Sequence, residues 1–296
     1  MKGQNILVAT DLSDNSRPAA KVGARLADEL DKQLEFVHVF DLSRRGAKEK
    51  IRVFRDAGAK EKARGRVARW VEEVTHRSAD AVTLEVGAPD QKIRNRAQAD
   101  DVACLVISMS GRGAWNKLIF GSTALKLSSR PPCVMAVVHP DHHRISTQMT
   151  LAVGTDFSAT SEGAVQEAVW FARRLDSSIR LVYANALPST TVIHEGELPP
   201  GMETTEVIEW ARDNMDSFVD RHRQLFEGLD VQSKIVADHP VAGLRSFVEE
   251  RGVDWIFLGH RRPEQRGGSS TVKGKWVQQM NCSTFLVPHS TPAEDS

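Results

Sequence analysis

Two stretches decide the fold: ILVATDLSDNSRPAAKVGARLADEL at residues 6–30 and LAVGTDFSATSEGAVQEAVWFARRL at residues 151–175. A shift of 145 residues lays Thr10 on Thr155, Asp11 on Asp156, Ser13 on Ser158, Ser16 on Ser161, Ala19 on Ala164 and Leu30 on Leu175. The same shift brings LEFVHVF (34–40) onto IRLVYAN (179–185). Further on, ACLVIS (103–108) matches DWIFLG (254–259) at a shift of 151, and PPCVMAVVHP (131–140) matches MNCSTFLVPH (280–289) at 149. The second copy has gained six residues and then lost two, changes that belong in loops or at helix ends. A period near 145 is a domain length and not a solenoid repeat. The chain therefore reads as a tandem duplication, with one domain over 1–140, a polar linker over 141–148, a second domain over 149–290 and a tail over 291–296.

Each copy alternates β-α-β-α-β-α-β-α-β. In the first copy the strands fall near 5–10, 34–39, 81–86, 103–108 and 133–138, short apolar runs with little polar alternation, as buried parallel strands require. Between the first two, Ala19, Val22, Gly23, Leu26, Ala27 and Leu30 form one helical stripe. The pattern predicts an α/β fold with two tandem five-stranded parallel, doubly wound sheets. In such sheets a ligand sits beyond the carboxyl ends of the strands, where strand order reverses.

Composition narrows the function classes. Of 296 residues, 41% are hydrophobic and 26% charged, enough for a sizeable core and against a disordered or fibrous chain. Lys plus Arg equals Asp plus Glu at 39 each, so no global basic field points to nucleic acid. The three cysteines form no CxxC pair. No apolar run approaches the roughly 18 residues of a membrane span and the N-terminus carries no apolar leader, which predicts a soluble, cytoplasmic protein. Charge is uneven: residues 1–145 hold 25 Lys/Arg against 18 Asp/Glu, and the remainder 14 against 21. Much of the basic excess lies over 44–69, where a solvated helix face accounts for it.

Three strand ends, the first, second and fourth, are candidates for the chemistry. After strand one stands Thr-Asp-Leu-Ser (10–13), repeated as Thr-Asp-Phe-Ser (155–158). After strand four, SMSGRGAWNKLIFGST (108–123) runs a glycine-containing loop into Gly121-Ser122-Thr123, where backbone N–H groups and two hydroxyls suit a phosphate. No GxSxG, HExxH or GxxxxGK[ST] pattern occurs, so no catalytic residue is assigned. His139, Asp141, His142 and His143 lie in a linker that imposes no convergence, and no metal site is expected there. His38 and Tyr183, equivalent positions on strand two, read as core packing.

On these residues the chain resembles the tandem members of the universal stress protein family, over nearly its whole length. The family signature, Gly-x2-Gly-x9-Gly-(Ser/Thr), is matched by Ser108-x2-Gly111-x9-Gly121-Ser122, with serine for the first glycine. The second copy keeps Gly259 but has Arg262 for the next glycine and a shorter run to Ser270-Thr271. The resemblance implies that domain 1 binds ATP or another adenine nucleotide, with or without Mg. Thr10 and Asp11 would meet the ribose and base, the Val39 backbone the adenine edge, and Ser108, Gly111, Gly121, Ser122 and Thr123 the phosphates. The corresponding second-copy residues, a weaker candidate site, are Asp156, Ala184, Gly259, Ser270 and Thr271. The expected role is a stress-response sensor or regulatory module; the alternatives are a nucleotide-free interaction scaffold with decayed pockets and a weak ATPase. The family's dimerisation through its last strand implies an internal pseudo-dimer of VMAVV (134–138) and TFLVP (284–288), with room for a homodimer and a protein partner.

Overall fold

The structure is a computed structural model that describes residues 1–41, 56–110, 120–141, 144–184, 204–260 and 277–289. The chain divides into two compact units, the first comprising residues 1–145 with 269–278 and the second 146–268 with 279–296.

In the first unit β1 (Asn5–Thr10), β2 (Gln33–Asp41), β3 (Ala81–Gly87), β4 (Val102–Ser108) and β5 (Met135–Val138) lie in the order β3-β2-β1-β4-β5, every described pair parallel. The crossovers carry α1 (Arg17–Glu29), α2 (Ala57–Thr75), α3 (Pro89–Ala97) and α4 (Ser122–Ser128). The second unit repeats this as β8-β7-β6-β9-β10, from β6 (Thr150–Gly154), β7 (Ser178–Ala184), β8 (Val231–Val236), β9 (Trp255–His260) and β10 (Ser283–Pro288). Its helices are α5 (Ala159–Leu175), α6 (Thr204–Arg221), the short α7 (Arg223–Phe226) and α8 (Pro240–Arg251). The tandem parallel α/β architecture is the one the alternating pattern dictates. No helix among the described residues is long and apolar enough to cross a membrane.

Helices on both faces explain why the central strands bury without alternation: all seven residues of β4 are buried. The α1 stripe is buried from Ala19 to Leu30. Gly23 is required within it, because a Cβ there would stand 2.2 Å from Cγ2 of Val8. In the second unit Phe171 of α5 packs on Phe257 and Phe285, whose rings stack with centroids 4.6 Å apart.

At the amino end of the first sheet the strands are tied by charge. Glu35 on β2, 3% exposed, accepts from Arg96 Nε at 2.8 Å and from the Thr83 hydroxyl at 2.9 Å. The Arg96 guanidinium also donates both Nη groups to Asp101 at 2.8 Å, and Asn5 Nδ2 donates to Asp101 at 2.9 Å. The bond from Arg96 holds the Asp101 carboxyl below its ordinary range and keeps the Arg96 guanidinium above its own. A carboxyl whose folded pKa is depressed stabilises the fold above its unfolded pKa, near 3.8, and loses that contribution as pH falls through the lower folded value. Asp101→Asn should therefore cost stability at pH 7, and the difference from the parent should shrink as pH falls below 3.8 through the depressed folded value. Urea midpoints across that window check this, and a constant difference down to the lowest pH would refute it.

Candidate functional site

The turn after β1 is built twice. In the first unit the Thr10 hydroxyl oxygen accepts the Leu12 N–H at 3.0 Å, and Asp11 Oδ1 accepts the Ser13 N–H at 3.0 Å and the Ser13 hydroxyl. Ser16 spends its hydrogen on the Ser13 carbonyl at 2.8 Å, so across the 3.1 Å contact between the Thr10 and Ser16 hydroxyls Thr10 is the donor. Thr155, Asp156, Phe157, Ser158 and Ser161 repeat the pattern. These bonds hold Leu12 and Phe157 alike at φ 62°, a left-handed conformation costing a side-chain-bearing residue about 1 kcal/mol. The repeated Thr-Asp-x-Ser is thus a rigid turn that presents its aspartate at the end of the strand.

Beyond the carboxyl ends of β1 to β4, where the strand order reverses, lies a cavity of about 580 Å³. Of the residues expected at the first site, Thr10, Asp11, Val39, Ser108, Gly121, Ser122 and Thr123 line it together, and Gly111 lies outside the described residues. The Gly121 N–H donates to the Met109 carbonyl at 2.8 Å, which pins the start of α4 beside the end of β4. Gly121 itself sits at φ −68°, ψ 140°, so its value is the absence of a side chain at the wall and not a backbone only glycine adopts.

The sequence reading missed part of this wall. His38, taken as packing, lines the cavity; its Nδ1 stands 2.9 Å from the Thr10 carbonyl oxygen, which only accepts, so Nδ1 carries the proton. The Gly87-Ala88-Pro89 entry into α3, Ile93 and Lys126 are wall residues too. The Gly87-Ala88-Pro89 order, a glycine shortly before a proline that opens a helix, was the available signal, and Gly87 does adopt φ 138°. Asp90 and Lys126 form an ion pair at 3.2 Å, and Arg94, one turn beyond Asp90, donates to the Lys126 carbonyl at 3.1 Å and to that of Arg130. Asp90 and Arg94 of α3 thereby hold Lys126 of α4 and Arg130 just beyond its end. Among the described residues no group of three or more His, Cys, Asp or Glu is placed to hold a metal.

The serine in place of the signature's first glycine has a physical account. Ser108 is ordinary extended backbone ending β4, with no left-handed φ to strain it, and is 7% exposed. At the matching Gly259 a Cβ would stand 2.2 Å from the Thr160 carbonyl oxygen in the first turn of α5. In the first unit a 3-10 turn (Asp14–Ser16) lies over β4 and α1 starts at Arg17, three aligned positions later than α5. The Ser108 side chain is buried, its hydroxyl without a hydrogen-bond partner among the described residues.

The second unit differs at the same place. Asp156 is exposed and Ala184 half-buried, Gly259 lies beneath α5, and Ser270 and Thr271 lie outside the described residues. Phe157 stacks on Tyr183 at 4.8 Å with Trp210 at 6.2 Å, aromatics where the first unit has Leu12 and His38.

Fold and cavity together define a tandem protein of two parallel α/β domains, with a crevice of small-molecule size at the switch point of the first. The chain belongs to the universal stress protein family, whose sequence model matches residues 3–139 and again 149–288. A universal stress protein from Archaeoglobus fulgidus superposes with a TM-score of 0.67 at 16% identity, covering 98% of this chain and all of that one. A putative universal stress protein from Pseudomonas aeruginosa gives 0.59 at 14%, covering 97% and 93%. A universal stress protein solved in complex with cAMP covers 49% of this chain and all of its own, at 19% identity and a TM-score of 0.37. No curated protein matches the chain.

Proposed function

We propose that the first domain binds an adenine nucleotide, ATP or a smaller relative, in the crevice beyond β1 to β4, and that the chain acts as a nucleotide-responsive regulatory module. The observation that carries this reading is the convergence of Thr10, Asp11, Val39, Ser108, Gly121, Ser122 and Thr123 on one cavity of about 580 Å³, within the range of small-molecule sites. Ile93, Ile107 and Phe40 offer apolar surface for a base, Asp11 a carboxylate for ribose hydroxyls, and Ser122 and Thr123 hydroxyls for a phosphate.

The second domain serves structure or regulation without a nucleotide of its own. Its Phe157–Tyr183–Trp210 stack and the packing of Gly259 under α5 favour that assignment. Titration calorimetry of the full chain with ATP, AMP and cAMP tests both statements. One site per chain is expected; Gly121→Val should weaken it at least tenfold by filling the wall, while Asp156→Ala leaves it unchanged. Two equivalent sites, no binding, or an unaffected Gly121→Val variant would each refute the assignment. Phosphate release from ATP above a protein-free control, abolished by Asp11→Ala, would establish the weak ATPase instead.

A further inference from the structure

We propose that Lys126 is the residue through which this crevice reads the charge of its ligand, exchanging its bond to Asp90 for one to an anionic group of the bound molecule. The inference rests on the adenine-nucleotide reading of the pocket. Among the described wall residues Lys126 is the one with a permanent positive charge; Asp11, Asp41 and Asp90 are negative. On α4 it lies one turn past Ser122, on the same face as that hydroxyl.

Three features make the exchange inexpensive. The Lys126 side chain is 61% exposed and meets Asp90 at 3.2 Å, an arrangement whose net worth is small. Asp90 belongs to the first turn of α3, whose N-cap residue Ala88 offers no side-chain cap, so the helix end still stabilises that carboxylate after the ammonium leaves. The α3–α4 clamp survives too, because Arg94 continues to hold the Lys126 and Arg130 carbonyls. A phosphate monoester brings up to two charges and three acceptor oxygens, a stronger partner for an ammonium than the single carboxylate of Asp90. A lysine that only stapled α3 to α4 would be insensitive to ligand charge.

The test compares AMP with adenosine on the full chain by calorimetry at low salt. Lys126→Gln should weaken AMP about tenfold, the worth of one charge-assisted bond, and leave adenosine within twofold. Asp90→Asn, which removes the competitor, should tighten AMP about threefold with adenosine again unchanged. Lys126→Arg should restore most of the AMP affinity. If both variants shift AMP and adenosine equally, or neither shifts the ratio, Lys126 is a staple and the inference fails while the pocket assignment stands. If the parent protein binds neither ligand, the pocket assignment fails and this inference with it.

Discussion

Arg96→Met should lower the stability of the first domain by about 3–5 kcal/mol, because it removes the guanidinium bonded to a carboxylate 3% exposed. Glu35 is then left with the Thr83 hydroxyl and the long 3.4 Å contact from Asn5, neither of which carries a charge. The cost is the desolvation of an unpaired buried charge and not the strength of the salt bridge itself. For that reason the double variant Glu35→Gln/Arg96→Met should recover part of the loss, since an amide is neutral and still accepts from Thr83. Hydrogen exchange of β2 and β3 peptides in the full chain localises the effect to this domain. A single-variant loss below about 1 kcal/mol, or no recovery in the double variant, would mean that water reaches Glu35 and that the network is ornamental.

What the sequence made legible follows the range over which each signal acts. Strand runs, the α1 stripe and the two Thr-Asp-x-Ser turns are local, and local spacing sets them. The duplication doubled that signal, since Leu12 and Phe157 reach the same left-handed turn with different side chains. The strand-end rule pointed to Asp11 and Gly121, the family resemblance added Val39, and all three line one crevice. Partnerships across the fold stayed hidden. Nothing in the spacing joins Asp90 to Lys126 or Glu35 to Arg96. The alignment sets Glu35 against Arg180, opposite charges; only the fold shows that Arg180 instead pairs with Asp230, both Nη groups at 3.1 Å. His38 read as core because its alternate, Tyr183, looks like core, and a tautomer-defining bond to a carbonyl leaves no trace in sequence.

Exchanging the signature residues should have opposite consequences in the two domains, with Gly259→Ser costing the second domain about 3 kcal/mol and Ser108→Gly changing the first by no more than about 1 kcal/mol. In the second domain the added Cβ would lie 2.2 Å from the Thr160 carbonyl oxygen and 2.7 Å from its carbonyl carbon, both backbone atoms of a helix's first turn. No side-chain rotation relieves such a contact; the turn must move. In the first domain two small effects oppose each other. Glycine in a strand costs backbone entropy, while loss of a buried hydroxyl without a partner is favourable. Urea unfolding of both variants, with hydrogen exchange on α5 and β9, separates them. A cost below about 1 kcal/mol for Gly259→Ser would show that α5 can open with a 3-10 turn and begin three residues later, as α1 already does in the first domain. The glycine would then record ancestry and not packing, and its loss in the first domain would need no compensation at all.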